Sequence, residues 1–253
     1  MGRNLMFDSN SFLIERLRRR PCSYSVPGSL PVVAFGDCKS ARVATIGLNP
    51  SDKEYVDKSG IELNGSRRRF ESLGSLGCED RAQLTDEQCL IALDTMRDYF
   101  MPDKPVYAWF RPLGRVLDSL GSPYQTGEAA HLDLVQEATS LTWSNLHAVD
   151  PNAIKSLLQQ DLPFLQEQLA RFHFEILLCN GRTVFDEVRR LVNGEVSETL
   201  TFGSKGQLKV YRAHCRFPRG KVSLLGWNMP LARAGLTKEQ DGELGKLLLR
   251  LSE

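Results

Sequence analysis

"RVATIGLNPSDKEYVD", residues 42–57, decides how the chain is read. Val43 to Ile46 is short, apolar and β-branched, as a strand buried on both faces should be. It runs into Gly47-Leu48-Asn49-Pro50-Ser51, a stretch rich in turn formers. The acids Asp52, Glu54 and Asp57 follow directly. A strand that ends in a tight polar turn usually delivers side chains to a ligand. Similar apolar runs occur at 32–35, 131–135, 174–179, 208–214 and 222–226, and with 42–48 they are the strand candidates. Helical patterns fall between them, at 9–19, 66–76, 86–100, 109–120, 152–159, 161–172, 182–193 and 237–251. Strands separated by helices imply βαβ units. The expected fold is α/β, a three-layer α/β/α sandwich around a mainly parallel central sheet.

In such sheets ligands sit at the carboxyl ends of the strands. Three strand ends therefore draw attention together: Gly47–Ser51, Asp133–Thr139 and Gly226–Leu231. A fourth, Cys179-Asn-Gly-Arg, opens a helix whose N-terminus suits an anion. The chain contains no P-loop, G-x-G-x-x-G, G-x-S-x-G or H-E-x-x-H pattern, which removes the main support for common nucleotide, hydrolase and zincin readings.

The 253 residues are 42% hydrophobic and 25% charged, enough apolar side chain for one sizeable core. No Gly/Ser- or Pro-rich tract divides the chain, so a single domain over 1–253 is expected, with a helical extension at about 1–30. The charged start is unlike a secretory segment. Gly2 invites a myristoylation reading, but Met6 stands where Ser or Thr is required. No apolar run reaches the ~20 residues of a membrane helix. Six cysteines are scattered without a C-x-x-C pair, which argues against a disulfide framework, a zinc site or an iron–sulfur cluster. The expectation is a cytoplasmic, monomeric protein without cofactor or metal.

Net charge is +1, but it is unevenly spread. Thr199–Lys238 has no acid and holds Lys205, Lys209, Arg212, Arg216, Arg219, Lys221, Arg233 and Lys238. The other 24 of the 32 basic residues face all 31 acids. A basic C-terminal segment on an otherwise acidic chain is a candidate phosphate-binding face.

Several motifs, taken in order, resemble the uracil-DNA glycosylase superfamily over about 40–240. "IGLNPS" (46–51) looks like the G-x-N-P turn of its mismatch-specific and single-strand-selective branches. "RRRFESLGSLG" looks like the helix that follows. "HLDLVQEAT" (131–139) resembles the second active-site strand, where the family carries a base-reading Asn. "FEILLCNGRTV" (174–184) resembles the strand-to-helix unit before the last motif. "LLGWNMPLARAGL" (224–236) stands where the family has H-P-S-P-L or N-P-S-G-L. The resemblance implies a monofunctional DNA glycosylase that flips a base, cleaves its N-glycosidic bond and leaves an abasic site.

Under that resemblance Asn49 holds the attacking water. Its amide can orient water but cannot take a proton. Glu54, chosen among three acids, adds a base or an electrostatic effect. Asp133 replaces the base-reading Asn. A carboxylate only accepts, so it suits an exocyclic amine such as cytosine N4 and is repelled by uracil O4. Ser51 stands where the uracil-restricted branch has a Tyr that blocks the 5-substituent, and so leaves space. Asp133 and Ser51 together point to a 5-modified cytosine, such as a hydroxymethyl or glucosylated form in phage DNA, with a role in phage defence or repair. Tyr55, Trp109 and Phe110 are candidates for stacking the base. Asn228 or the Trp227 indole could meet the base carbonyl. Leu231 matches the apolar wedge that fills the gap left by a flipped base. Arg182, Arg216, Arg219 and Arg233 are candidate phosphate contacts.

Ordinary readings stand beside these. The Asn-Pro turn could be only a turn, and Asp133 could be a structural acid paired with His131, His147 or an Arg. Trp109 and Phe110 could be core. A uracil or mismatch glycosylase, an inactive DNA-binding protein of the same fold, and a small-molecule α/β enzyme acting on nucleosides are the competing functions.

Overall fold

The computed structural model describes residues 8–203, 206–217 and 220–253. The elements are α1 (Asp8–Leu17), β1 (Val43–Gly47), α2 (Asp86–Arg97), α3 (Arg111–Leu120), β2 (Ala129–Asp133), α4 (Trp143–Val149), α5 (Pro151–Arg171), β3 (Ile176–Asn180), α6 (Arg182–Leu191), β4 (Glu195–Phe202), β5 (Leu208–Phe217), β6 (Gly220–Trp227), α7 (Leu231–Ala234) and α8 (Lys238–Ser252). The six strands form one sheet in the order β2-β1-β3-β6-β5-β4. The first four pair in parallel, and β5 runs against both of its neighbours.

Period-two alternation sorts the strand side chains into two cores. Val43, Ala129, Leu178, Leu225 and Trp227 face the side covered by α2, α3 and α8. Ala44, Ile46, Leu132, Cys179 and Leu224 face α5 and α6. This is the expected α/β sheet with helices on both faces. The helix ends are set locally. Thr85 with Gln88, and Thr237 with Gln240, form reciprocal capping boxes at α2 and α8. Pro112 lies in the first turn of α3, and Gly121, at φ 83°, closes that helix in the left-handed region. Gly245 costs α8 intrinsic helix propensity but permits close packing, because a Cβ there would strike the Val116 carbonyl of α3.

Four expectations change. Residues 32–35 are not a strand. Phe35 makes an isolated antiparallel bridge to His131, with Phe35 N donating to His131 O at 2.9 Å and His131 N to Phe35 O at 2.8 Å. With Val32 N donating to Gln136 O, this segment roofs the free edge of β2. Residues 66–76 are not a helix beyond a 3-10 turn at Gly65–Arg67. There Ser72 and Ser75 exchange side-chain-to-backbone hydrogen bonds and also bond Glu62 and Glu71, an alternative that serines offer the backbone over a helix. The helices expected at 152–159 and 161–172 are one, α5, which continues through Pro163. Finally, β4 was not foreseen: Glu195–Phe202 is a largely exposed edge strand with a bulge between Val196 and Glu198.

The N-terminal stretch is built into the body of the fold. Leu17 is fully buried and Arg16 is 3% exposed. Arg16 donates to Asp161 Oδ1 at 2.8 Å and lies 3.6 Å from Glu137. Arg81, 1% exposed, grips Glu137 with two parallel hydrogen bonds of 2.8 and 3.0 Å and also donates to the Ser29 carbonyl. Gln136 N donates to Asp161 Oδ2 at 2.8 Å. This buried network clamps the segment that leaves β2, the same segment that supports the Asn49 turn. Among the described residues no helix is long and apolar enough to cross a membrane.

Candidate functional site

Sheet register creates the site. Thr45 pairs with His131, and Gly47 with Asp133, so these four residues share one face at the carboxyl ends of β1 and β2. Gly47 leaves the room that Asp133 occupies, since a methyl group at 47 would collide with Asp133 Oδ1 and crowd His131. Beyond Gly47 the chain leaves the sheet through Leu48-Asn49-Pro50. Ser51 then caps a short 3-10 turn, Asp52–Glu54, by accepting from Lys53 N. That turn sends Glu54 back toward the strands.

The strand ends open into a cavity of about 420 Å³, within the range of small-molecule sites. Asn49, Ser51, Glu54, Phe110, Asp133 and Arg233 all line it, together with Phe35, Trp109, His131, Trp143, Asn180 and Pro230. The first six, singled out in the sequence and drawn from four separate segments, therefore meet in one place.

Asp133 is 3% exposed. Its Oδ1 lies 3.4 Å from His131 Nε2, while its Oδ2 has no hydrogen-bond partner among the described residues. The opposite ring nitrogen of His131, Nδ1, sits 2.7 Å from Thr45 Oγ1, which is 2.5 Å from the Tyr124 hydroxyl. A buried polar chain thus runs from the core to Asp133 and fixes the imidazole behind it. His131 is accordingly both the structural partner of Asp133 and part of the cavity wall. An orphaned buried carboxylate oxygen is costly unless something donates to it.

Glu54 is 2% exposed, and burial pushes its carboxyl up to about 8. A hydrogen bond from the Tyr99 hydroxyl to Oε2, 2.9 Å, and the Arg69 guanidinium 3.9 Å away pull in the opposite direction, while the charge of Asp133 adds to the rise. Glu54 is therefore mostly neutral at pH 7 and can donate as well as accept. Because the folded state holds this proton more tightly than the unfolded chain, its contribution to stability is full below about pH 4.5. It is lost progressively as pH rises through about 8. Glu54→Gln keeps an oxygen for Tyr99 and removes the titration. The variant is expected to gain stability relative to wild type, on the order of a few kcal/mol, between pH 5 and pH 8. Urea unfolding at both pH values measures this, and parallel pH profiles for the two proteins would refute the assignment.

Asn49 uses its amide nitrogen on Thr139 Oγ1 and Pro50 O, each at 3.0 Å, with Glu137 O at 3.4 Å. Its Oδ1 accepts from no described residue, so it is the group left for a ligand or a water. Phe110 is buried against Phe35 and His131, and Trp109 is half-buried with its ring 5.5 Å from His131. Both are core and wall at once. Trp143, at the start of α4, was not foreseen, because 141–150 gave no helix expectation.

Other candidates fall elsewhere. Tyr55 is 4% exposed and its hydroxyl donates to Leu30 O at 2.7 Å, so it belongs to the core rather than the cavity. Asn228 Oδ1 accepts from Lys209 N at 2.9 Å, and Asn228 N donates to Lys209 O, which latches the end of the β5–β6 pair away from the cavity. Trp227 is fully buried and its indole donates to Asn180 Oδ1 at 2.8 Å, which withdraws it from base contact. Leu231 is 3% exposed in the α3–α8 core, and a wedge must be exposed to act. Arg182 is exposed at the start of α6, paired with Asp186 at 2.6 Å and stacked over Tyr211. Arg219 and the side chain of Arg216 lie outside the described residues. Among the described residues, Arg233 is the one of these arginines that lines the cavity.

Fold and site together define an α/β protein with a deep aromatic and acidic cavity at the carboxyl edge of a mostly parallel sheet. No model of a known protein family matches the chain. No curated protein matches it either.

Proposed function

We propose that the chain is a monofunctional DNA N-glycosylase that draws an amine-bearing base out of the stack into this cavity and hydrolyses its N-glycosidic bond. The best candidate is a 5-modified cytosine, hydroxymethylated or glucosylated, as found in phage DNA. A role in phage defence or repair would follow. The observation that carries the reading is Asp133, a buried carboxylate with an unpartnered oxygen in the wall of an aromatic cavity at the strand ends. A carboxylate accepts from an exocyclic amine as it would from cytosine N4. The half-buried Trp109 and Trp143 give a planar ring apolar walls. The cavity is larger than a bare pyrimidine needs, and Ser51 at its rim leaves space for a substituent.

In this reading Asn49 Oδ1 holds a water below C1′. The water oxygen bonds to C1′ and the C1′–N bond breaks, its electron pair leaving on the base. Glu54, neutral at pH 7, gives the departing base a proton and regains one from the attacking water, so the enzyme ends as it began. Arg233 at the cavity, with exposed Lys209 at the same end of the β5–β6 pair, supplies positive charge for the phosphate backbone.

Incubation with duplexes carrying uracil, cytosine, hydroxymethylcytosine or glucosylated hydroxymethylcytosine, with mass identification of any released base, tests the proposal. Release of a modified cytosine is expected. Release of uracil alone overturns the substrate, and no release from any DNA overturns the activity. DNA affinity should also fall steeply with salt, by about one power of salt concentration for each phosphate neutralised. A flat salt series would instead favour a nucleoside-sized substrate.

A further inference from the structure

Asn180 ends β3 and is 3% exposed. Its Oδ1 accepts from two N–H groups, Trp227 Nε1 at 2.8 Å and Leu231 N at 3.0 Å. Both neighbours can only donate, so the amide has one possible orientation: oxygen toward them, nitrogen away. Nδ2 donates to no described residue, and Asn180 forms part of the cavity wall. Strand register supports the same geometry. Asn180 pairs with Trp227, and alternation along β3 and β6 puts Leu178, Leu225 and Trp227 in the core on the α3–α8 side. That is also the side of the sheet that carries Thr45, His131 and Asp133. Among the described residues the cavity wall therefore holds two complementary groups, an acceptor without a donor at Asp133 Oδ2 and, with Asn180 Oδ1 taken by Trp227 and Leu231, a donor without an acceptor at Asn180 Nδ2.

We infer that Asn180 is a second specificity-determining residue, and that the cavity selects a ring bearing both an amine and a carbonyl. Asp133 takes the amine and Asn180 Nδ2 donates to the carbonyl. The inference deepens the function proposed above and rests on it for the ring being a nucleobase. It narrows that reading in one respect. Asp133 alone would accept adenine through its exocyclic amine; adenine offers Asn180 only the ring nitrogens N1 and N7 beside that amine, and no carbonyl two ring atoms further on as cytosine O2 is, so the pair disfavours it. Uracil is rejected at the other end, because it brings carbonyls but no amine. A site built to hydrogen-bond a group discriminates strongly against a ligand that lacks it, since the site's own buried polar atom is then left unpaired.

The test is equilibrium binding of 1-methylcytosine, 1-methyluracil and 9-methyladenine to the full chain, whose methyl groups stand in for the sugar. Isothermal titration or ligand-observed NMR reads the affinity. Wild type should bind 1-methylcytosine at least tenfold more tightly than either of the others. In Asn180→Asp the oxygen that serves Trp227 and Leu231 is kept, and those two donors favour the ionised carboxyl. The cavity-facing donor then becomes an acceptor. This variant should lose at least tenfold in 1-methylcytosine affinity while Trp227 keeps its native near-UV circular dichroism. Asp133→Asn makes the opposite exchange and should move the preference toward 1-methyluracil. The inference is overturned by 9-methyladenine binding as well as 1-methylcytosine. It is equally overturned by a folded Asn180→Asp protein with unchanged preference, or by no saturable binding of 1-methylcytosine up to tens of millimolar. The glycosylase reading fails separately, if a chain that binds 1-methylcytosine releases no base from any DNA.

Discussion

Asp133→Ala should lower base release by about 100-fold or more while leaving salt-dependent DNA binding nearly unchanged. The side chain sits at 3% exposure in the wall of the cavity, on β2 and separated from the β5–β6 pair by β1 and β3, so its removal is felt by the base more than by the backbone grip. A hundredfold corresponds to about 2.7 kcal/mol of transition-state stabilisation, in the range for losing one charge-assisted contact in a water-poor site. The fold should tolerate the change. Asp133 Oδ1 has one polar neighbour, His131 at 3.4 Å, and Oδ2 has no hydrogen-bond partner among the described residues, so deletion leaves few partners stranded. Asp133→Asn should instead retain part of the activity and redirect it toward uracil-type bases, because its amide can donate to O4. Single-turnover base release on matched substrates decides. A competent protein indifferent to Asp133→Ala would remove the residue from base recognition.

The second large effect is on stability. Arg81→Met is expected to cost about 3–5 kcal/mol, because it leaves the buried Glu137 without its bidentate partner. Arg16, 3.6 Å away, is already committed to Asp161 at 2.8 Å and compensates only in part. The companion double variant, Arg81→Met with Glu137→Met, removes both charges and should recover most of that loss, since apolar replacement of a whole buried pair is often close to neutral. Guanidinium unfolding of the three proteins measures both numbers. A single-variant cost under about 1 kcal/mol would show that the network is not tightly buried in solution. The site should respond as well, because the Glu137 backbone carbonyl and Thr139 anchor the Asn49 amide.

Much of the site was legible because strand ends are legible. Asn49, Ser51 and Glu54 follow an apolar run by a few residues and Asp133 ends β2 within another, and parallel topology gathers such positions without any need for side-chain detail. Burial was the hidden variable. Tyr55 lies one residue from Glu54, yet its hydroxyl points to Leu30 O, and nothing in a local pattern separates the two directions. Leu231 and Trp227 read as ligand-facing through the resemblance of "LLGWNMPLARAGL" to a base-contacting loop, whereas long-range packing against α3 and α8 takes them inward. The strand end at Asn180 was visible, but its task was not. A ligand donor at Asn180 follows from two N–H groups, one 47 and one 51 residues further along the chain, both meeting the same oxygen. Among the elements, β4 escaped because Glu195-Val-Ser-Glu-Thr is a polar edge with no apolar face to signal it. The single helix α5 was split in the sequence reading, and tertiary packing carries it through Pro163.

The two rims of the sheet are protected by different means. At β2 the neighbouring backbone is occupied by the chain's own residues around Phe35, a cover that no change of solution can discharge. At β4 the protection is the bulge and the exposed Glu195 with the half-exposed Glu198, beside a Val196 that is 48% exposed. The outward hydrogen-bonding groups of that strand stay open to a second copy, so self-association should begin at this rim, one molecule docking strand-first onto the next while both remain folded.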